Sequence, residues 1–117
     1  MNASAEERAA RRRQRLLKDI ARLAQRAIFG TASSTYRRCG TQTCGCQKGG
    51  ALHGPHTYVS YRDREAKRTS GYYVPREAEA EINEGIQAWR ELQERLRELA
   101  EHNRQRVLHT ARRRSGK

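Results

Sequence analysis

Apolar residues near the start of the chain recur at intervals of three and four positions, which is the spacing of an amphipathic α-helix. The pattern predicts a helix from about Ser4 to Phe29. Ser4 and Glu7 fit the capping box that begins many helices, and Gly30 is suited to end this one. One face of the predicted helix carries the apolar residues Leu16, Ile20, Leu23 and Ala27. The opposite face carries the basic residues Arg11, Arg15, Lys18, Arg22 and Arg26.

The middle of the chain changes to alternating positions, which predicts β-structure. We expect a polar linker over Thr31–Ser34 and an irregular, glycine-rich loop over Tyr36–Gly54. Two strands, His56–Arg62 and Lys67–Val74, then flank a charged turn and form a two-stranded β-hairpin. Because an isolated hairpin is only marginally stable in water, this one must pack on the helices.

A second, longer helix is predicted from Pro75 to about Thr110. Its apolar residues follow a heptad pattern that is typical of a coiled-coil seam, with a polar residue at one seam position that can fix the register. The seam residues are Ile82, Trp89, Leu92, Leu96, Leu99 and Asn103. We expect the first helix to fold back antiparallel onto the second. The apolar surface that remains would then join two chains into a homodimer.

The composition limits the size of the core and the class of protein. The chain has 117 residues, 35% of them hydrophobic, and a mean hydropathy of -1.09. These values predict a single domain without the core of a large multilayer enzyme. The two helices and the hairpin predicted above make this domain α+β and mostly helical. No apolar run approaches the roughly 20 residues of a membrane span, and residues 1–15 lack the apolar stretch of a secretory signal. We therefore expect a cytoplasmic protein with no membrane partner.

The formal net charge of +12 is distributed unevenly along the chain. Residues 1–30 hold eight basic and three acidic side chains, and residues 31–75 hold seven and two. Residues 76–101 hold four basic and eight acidic side chains, whereas residues 102–117 hold six and none. We expect residues 1–13 and 111–117 to be flexible basic arms. Basic segments of this kind favour a polyanionic partner.

Basic and aromatic side chains are interleaved in the predicted hairpin. This combination suits nucleic acid, because cations contact phosphates and rings stack on bases. For any single tyrosine, packing of the hairpin on the helices is the simpler interpretation. The net charge nevertheless makes the whole patch a candidate interface. The candidate nucleic-acid contacts are Arg11, Arg15, Arg22, Arg37, Arg38, Lys48, Tyr58, Tyr61, Arg62, Arg64, Lys67 and Arg68.

The three cysteines, Cys39, Cys44 and Cys46, lie within eight residues and are followed by His53 and His56. In a cytosolic chain, clustered cysteines favour a metal over disulfides. Three thiolates and one imidazole complete a tetrahedral structural zinc site, which keeps no position open for a substrate. The sequence therefore predicts a zinc knuckle, which together with the hairpin spans residues 36–75.

The fourth ligand of this site is open to alternatives. His53 is the better candidate by position, because Pro55 then redirects the chain into the strand, and His56 is the substitute. A third alternative is that neither histidine binds and that water or another chain completes the site. Without a metal, the cysteines would be ordinary reduced thiols on a loop or would carry out redox chemistry.

One run of residues extends through the knuckle and the hairpin to the start of the second helix: Tyr36-Arg37-Arg38-Cys39-Gly40, Cys44, Cys46, His53-Gly54-Pro55, Tyr58, Ser60-Tyr61-Arg62 and Tyr73-Val74-Pro75. This run resembles a family of short prokaryotic proteins of unknown function. Members of that family share a helix, a cysteine-rich knuckle, a hairpin and a long helix rich in Glu and Leu. Many of them have an aromatic residue at the position of His56, so the resemblance favours His53 as the ligand. The resemblance brings no activity.

Two functions are compatible with these patterns. The first is a non-enzymatic nucleic-acid-binding module with a structural zinc ion, acting as a homodimer and without a small-molecule substrate. The second is a protein-interaction adaptor that uses the helical seam over Ile82–Val107. We expect no enzymatic activity, because the few acidic residues outside the second helix do not converge as the metal-bound carboxylates of a nuclease would.

Overall fold

A computed structural model of the protein describes residues 4–116 and contains two long helices and one antiparallel sheet. The α+β class that the sequence predicts is confirmed, and the two helices make up about half of the chain. Two short 3-10 helices, at Gly45–Lys48 and Arg76–Ala78, complete the regular structure of the described residues. The main elements are helix α1 (Ala5–Ala24), strands β1 (Thr31–Arg37), β2 (His53–Asp63) and β3 (Arg68–Tyr73), and helix α2 (Glu79–Arg114).

The chain forms two compact units. The described residues up to Ala27 and from Gln87 onward form one, which we call the helical unit, and Ile28–Ile86 form the other, the sheet unit. Residues 5–13 belong to α1 and residues 111–114 to α2, while residues 1–3 and 117 of the predicted arms lie outside the described residues. That the arms are flexible, and that the chain acts as a single domain, stay predictions.

Helix α1 begins as the sequence predicts but ends earlier. The Ser4 side chain caps the helix, accepting a hydrogen bond from the Glu7 backbone N–H at 3.1 Å. The predicted end at Phe29 is wrong, because the helix stops at Ala24. Beyond it the Ile28 N–H donates to the Gly85 carbonyl at 2.9 Å, so the chain has already left the helix to enter the sheet unit.

The core of the helical unit joins α1 to the part of α2 that belongs to this unit. It consists of Leu23, Ala88 and Leu92, with Ile20, Ala27 and Trp89 packed against them. Farther along, Arg13 Nε donates to Asn103 Oδ1 at 3.5 Å, and Arg113 Nη1 lies 2.8 Å from Glu6 Oε1. Because early residues of α1 contact late residues of α2, the two helices run antiparallel, as the sequence predicts.

The sheet has three strands in the order β1-β2-β3, one more than predicted. The expectation of a polar linker over Thr31–Ser34 is wrong, since these residues begin β1 and pair with β2. Ala32 is the one apolar residue among them, so the sequence offers no alternating pattern. The strand exists because Ala32 pairs with Val59, which is completely buried.

The core of the sheet unit lies on one face of this sheet. Val59, Val74 and Ile86 form it, with Ile28, Ala32, Ala78 and Ile82 packed against them. Gly30 allows the chain to cross close to β2: its φ is +143°, and a Cβ here would lie 2.6 Å from Val59 Cγ1. Gly30 was predicted to end a helix. Its role in the structure is to let the backbone pass close to the buried Val59 of β2.

The predicted hairpin is confirmed as β2 and β3. Asp63 Oδ1 accepts hydrogen bonds from the backbone N–H groups of Glu65 and Ala66, at 3.0 and 3.1 Å, and so fixes the turn. Strand β2 begins at His53 rather than at the predicted His56, because β1 pairs with it as far as Arg37. Pairing with β1, the strand that was not predicted, therefore extends β2 by three residues at its start.

Helix α2 has 36 residues and is therefore about 54 Å long. It begins at Glu79 rather than at the predicted Pro75, because Arg76–Ala78 form the 3-10 helix. It reaches Arg114, four residues beyond the predicted end. Within residues 4–116, neither helix has the length and apolar character that crossing a membrane requires.

Candidate functional site

A loop of residues 38–52 connects β1 to β2 and carries the cysteines. Arg37 and His53 form the last pair of the β1–β2 ladder, so the loop leaves and returns at neighbouring positions. Cys39 follows β1 closely, Cys44 precedes the 3-10 helix and Cys46 lies within it. The fold therefore brings the three cysteines close to the end of the β1–β2 ladder where Arg37 pairs with His53.

Four side chains of this loop converge on one point. The donor atoms of Cys39, Cys44, Cys46 and His53 all lie within 4.8 Å of one another. Cys44 Sγ is 3.2 Å from His53 Nε2, and Cys39 Sγ is 3.6 Å from Cys46 Sγ. The edges of a tetrahedral site with thiolate and imidazole ligands measure about 3.5–3.8 Å. The four residues are therefore close enough to hold a metal ion, and we call them the metal cluster.

The cysteines are not linked to one another. All three are free, and the 3.6 Å between the nearest pair of sulfurs, in Cys39 and Cys46, far exceeds a disulfide bond of about 2 Å. Cys46 is 2% exposed, whereas Cys39 and Cys44 are half-buried and His53 is exposed. The cluster therefore has an inner and an outer side, with the histidine on the outer one.

Of the two candidate histidines, His53 belongs to the cluster. Thr35 pairs with His56 and Arg37 pairs with His53, so β2 contains one residue more than β1 between these pairs. This extra residue interrupts the regular alternation of side chains between His53 and His56. The His56 ring lies 6.4 Å from the ring of Tyr73, on the sheet rather than in the cluster.

Backbone hydrogen bonds fold the loop around the cluster. The Cys44 N–H donates to the Thr41 carbonyl at 3.1 Å, and the Gly50 N–H donates to the Gly45 carbonyl at 2.9 Å. The Gln47 side-chain amide donates to the Cys39 carbonyl. A Cβ at Gly50 would lie 2.6 Å from the Gly45 oxygen, so this crossing of the chain requires glycine.

The cluster changes the acidity of its own thiols. The Cys46 backbone N–H, and then the His53 side chain, stabilise the Cys44 thiolate and lower the pKa of this thiol from 9.0 to about 6. The pKa of Cys46 is raised: the Cys39 N–H, 3.4 Å from its sulfur, favours the thiolate, but burial and the neighbouring thiols disfavour it more. A cation bound by all four donors must therefore displace the Cys46 proton.

Several candidate nucleic-acid contacts meet on the sheet face opposite the core. Successive side chains of a strand point to opposite faces, and Tyr58, which pairs with Tyr73, is adjacent in sequence to the buried Val59. The rings of Tyr58 and Tyr73 are 4.9 Å apart at 65°, and Arg37 Cζ lies 4.4 Å from the centre of the Tyr73 ring. We call this surface the outer face; its charged and aromatic members are Arg37, His56, Tyr58, Arg62 and Tyr73.

Tyr61 lies on the other face of the sheet. Its ring is 6.2 Å from that of Tyr72 and 6.5 Å from that of Phe29. The tyrosines of the hairpin are therefore divided between two surfaces. Tyr73 is absent from the predicted contacts. The predicted strands leave the turn at residues 63–66 and would pair Tyr58 with Gly71, whereas the observed turn at residues 64–67 pairs Tyr58 with Tyr73.

The remaining predicted contacts are spread over both units. Arg38, Lys48, Arg64, Lys67 and Arg68 are exposed in the loop, the turn and the start of β3. Arg11, Arg15 and Arg22 are exposed on α1, where Arg11 pairs with Glu7 at 3.8 Å and Arg22 with Asp19 at 3.6 Å. Their role in binding stays a prediction.

Much of the predicted seam packs within the chain itself. Ile82 packs on the core of the sheet unit, and Trp89 and Leu92 belong to the core of the helical unit. Leu99 and Asn103 are half-buried, and Leu96 is exposed. Self-association through these residues stays a prediction.

The metal cluster and the outer face both lie in the part of the chain that matches a known family. A family model described as a domain of unknown function, DUF6788, matches residues 6–84, which is more than half of the chain. Neither the curated proteins nor the solved structures gave a match. The extent of the family match includes α1, the whole sheet and the metal cluster, and stops early in α2. The chain therefore belongs to the DUF6788 family.

Proposed function

We propose that this protein is a non-enzymatic nucleic-acid-binding module whose contact surface is held in place by a structural zinc ion. The observation that carries the proposal is that a Cys3His cluster lies at the end of the β1–β2 ladder from which a basic, aromatic sheet face extends, starting at Arg37. We infer further that the knuckle and hairpin run is the part shared by the family, and that the protein acts as a cytoplasmic homodimer.

The choice of zinc follows from the donor set. Three sulfurs and one imidazole suit a tetrahedral Zn²⁺ ion, and four protein ligands keep no position for water or substrate. Cys46 is the one fully buried residue of the loop, so apolar burial contributes little to its order. A metal that links Cys39, next to β1, with His53 at the start of β2 would supply that order.

The choice of nucleic acid follows from the charge of the outer face. Arg37 and Arg62 project from it, and Lys48 and Arg64 lie in adjoining exposed segments. Asp63 is the one acidic residue in the three strands, all of which are described, and its carboxylate caps the turn. A face with cations and no carboxylate attracts phosphates, and binding releases the counterions that surround them.

The adaptor hypothesis is less well supported. Ile82, Trp89 and Leu92 of the proposed adaptor seam are used by the cores of the two units. The family match ends at residue 84, before most of the seam begins. A function common to the family is therefore better assigned to the sheet unit than to the second half of α2.

The zinc component can be tested by metal analysis. Protein purified without added metal is expected to contain one zinc ion per chain by mass spectrometry. Replacement with Co²⁺ is expected to give the absorption bands of a tetrahedral thiolate site. A metal content far below one per chain, with no binding of added Zn²⁺, would contradict the proposal.

The nucleic-acid component can be tested with charge-neutralising variants. Arg37→Gln together with Arg62→Gln removes two outer-face charges, and Arg90→Gln with Arg97→Gln removes two exposed charges from α2 as the matched control. If both outer-face arginines contact phosphates of a single strand, the slope of log affinity against log salt falls by about 1.4. The control should retain the wild-type slope in fluorescence anisotropy titrations. Equal slopes for the two double variants would refute this use of the outer face.

A further inference from the structure

We propose that Tyr73, Arg37 and Tyr58 form a stacking platform for unpaired bases, so that the outer face binds single-stranded nucleic acid in preference to duplex. This inference rests on the proposed function and specifies its substrate. Phosphate contacts alone do not distinguish the two forms, because both carry a charged backbone. The discrimination must come from groups that interact with bases, and the rings of the outer face are such groups.

Tyr73 has the exposure and the surroundings that stacking requires. Its side chain is 46% exposed although it lies in a strand, whereas Val59 on the other face is completely buried. The guanidinium of Arg37 lies over the ring, with Cζ 4.4 Å from its centre. Arg37 is itself exposed, and a guanidinium plane can stack on a base as an aromatic ring does. Arg37 and Tyr73 therefore form a stack of two flat groups at the surface, on which a base can lie.

Tyr58 fixes the orientation of this support. It contacts Tyr73 edge to face, with ring centres 4.9 Å apart, and is only half exposed. Its ring lies directly over Gly71 on the neighbouring strand, and a Cβ at that position would overlap the phenol. Glycine thus lets the Tyr58 ring lie flat on the sheet, where it holds Tyr73 from one side. A ring held by its neighbours loses little conformational entropy when a base stacks on it.

Bases in a duplex are stacked on each other and cannot lie on an exposed ring. A single strand presents its bases to the protein, and stacking on an aromatic side chain tolerates any sequence because every base has a π face. The platform therefore favours single strands of DNA or RNA, with little sequence preference. Arg62 on the same face and Lys48 in the adjoining loop are available for the phosphates of the same strand.

The experiment compares a fluorescently labelled oligothymidylate strand with a duplex of equal length, using the full zinc-loaded chain. We expect the wild type to bind the single strand at least about 10-fold more tightly, and Tyr73→Leu to lower its affinity for the strand about 5- to 150-fold. Tyr73→Phe keeps the ring and is expected to retain binding. Tyr72→Leu, on the other face of the sheet, is the matched control and should leave the affinity unchanged. Zinc content and circular dichroism must be the same for all variants compared.

The outcomes separate this inference from the proposed function. If the single strand and the duplex bind equally and Tyr73→Leu behaves as Tyr72→Leu does, the platform is refuted, while the effect of the arginine variants still supports phosphate binding. If the duplex binds more tightly, the platform is refuted as well. If no oligonucleotide binds even at low salt, the proposed function fails and the inference fails with it. If Tyr73→Leu loses its zinc, the platform is tested with Tyr73→Phe and the wild type instead. Both must prefer the single strand to the duplex, and equal binding of the two forms refutes the platform.

Discussion

The assignment of His53 rather than His56 as the fourth ligand can be tested by replacing each histidine with alanine. His53 Nε2 is 3.2 Å from Cys44 Sγ, and its donor atom lies within 4.8 Å of the three sulfurs. His56 is three residues away in sequence, but its ring is beside Tyr73. The two substitutions remove the same chemical group, from the metal cluster in one case and from the outer face in the other.

The magnitude follows from the number of ligands. Structural zinc sites bind with about 10–16 kcal/mol, so that one ligand of four contributes about 2.5–4 kcal/mol. His53→Ala is therefore expected to weaken zinc binding about 10²- to 10³-fold. At a free zinc concentration that saturates the wild type, the same free energy is lost from the stability of the folded chain, up to the point where the variant no longer binds. His56→Ala is expected to change the zinc affinity less than about tenfold, the lower end of the effect of residues that support ligands.

The assay is a competition for zinc with a chromophoric chelator, followed by urea unfolding of each variant with and without zinc. Zinc should raise the unfolding midpoint of the wild type and of His56→Ala, and much less that of His53→Ala. If His56→Ala weakens binding as much as His53→Ala, the ligand assignment is wrong. If neither variant loses affinity, the imidazole contributes nothing and three thiolates with an external ligand hold the ion.

Two further predictions concern the helical core and the loop, each with a control in the same element. Leu23→Ala, at a side chain 1% exposed, is expected to lower the free energy of unfolding by about 2–5 kcal/mol in urea, and Leu17→Ala, 39% exposed on the same helix, by less than about 1 kcal/mol. Similar losses at the two positions would contradict the packing of α1 on α2. Gly50→Ala is expected to weaken zinc binding about 10- to 100-fold because its Cβ meets backbone, while Gly40→Ala, with no atom within 4 Å of the new Cβ, should bind as the wild type does. A wild-type affinity for Gly50→Ala would refute the close crossing of the loop.

The parts of the fold that the sequence predicts are those with a strong local signal. The spacing of Leu16, Ile20 and Leu23 indicates a helix, and the cysteines with His53 indicate a metal site, because helical periodicity and ligand chemistry are both properties of nearby residues. Strand β1 has no such signal. Its residues are mostly small and polar, and its extended conformation depends on pairing with Val59 and its neighbours, which are about 27 residues away.

The outer face shows a similar division. That Tyr58 and Tyr61 lie on opposite faces follows from their odd spacing in a strand, and was available from the sequence. That Arg37 lies over Tyr73 was not, because the contact joins β1 to β3 across the sheet and requires the strand that the local pattern does not indicate. The proposed platform therefore depends on the pairing of β1 with β2, and a local sequence motif does not indicate it.

The metal cluster and the proposed stacking platform depend on the same ladder position. Arg37 pairs with His53, so the residue that would bind the metal is directly opposite the residue whose guanidinium covers Tyr73. Segments with few buried apolar side chains open locally at low cost, and the mostly exposed strand β1 ends its pairing with β2 at this position. A metal that joins Cys39 to His53 would prevent that opening and keep Arg37 in register.

Tyr58 and Tyr73 are held by the β2–β3 hairpin, whose turn does not involve the loop. Loss of the metal would therefore affect Arg37 first and leave the two rings paired. In the proposed function, zinc would thus support the contact surface through the position of Arg37, without itself contacting a base or a phosphate.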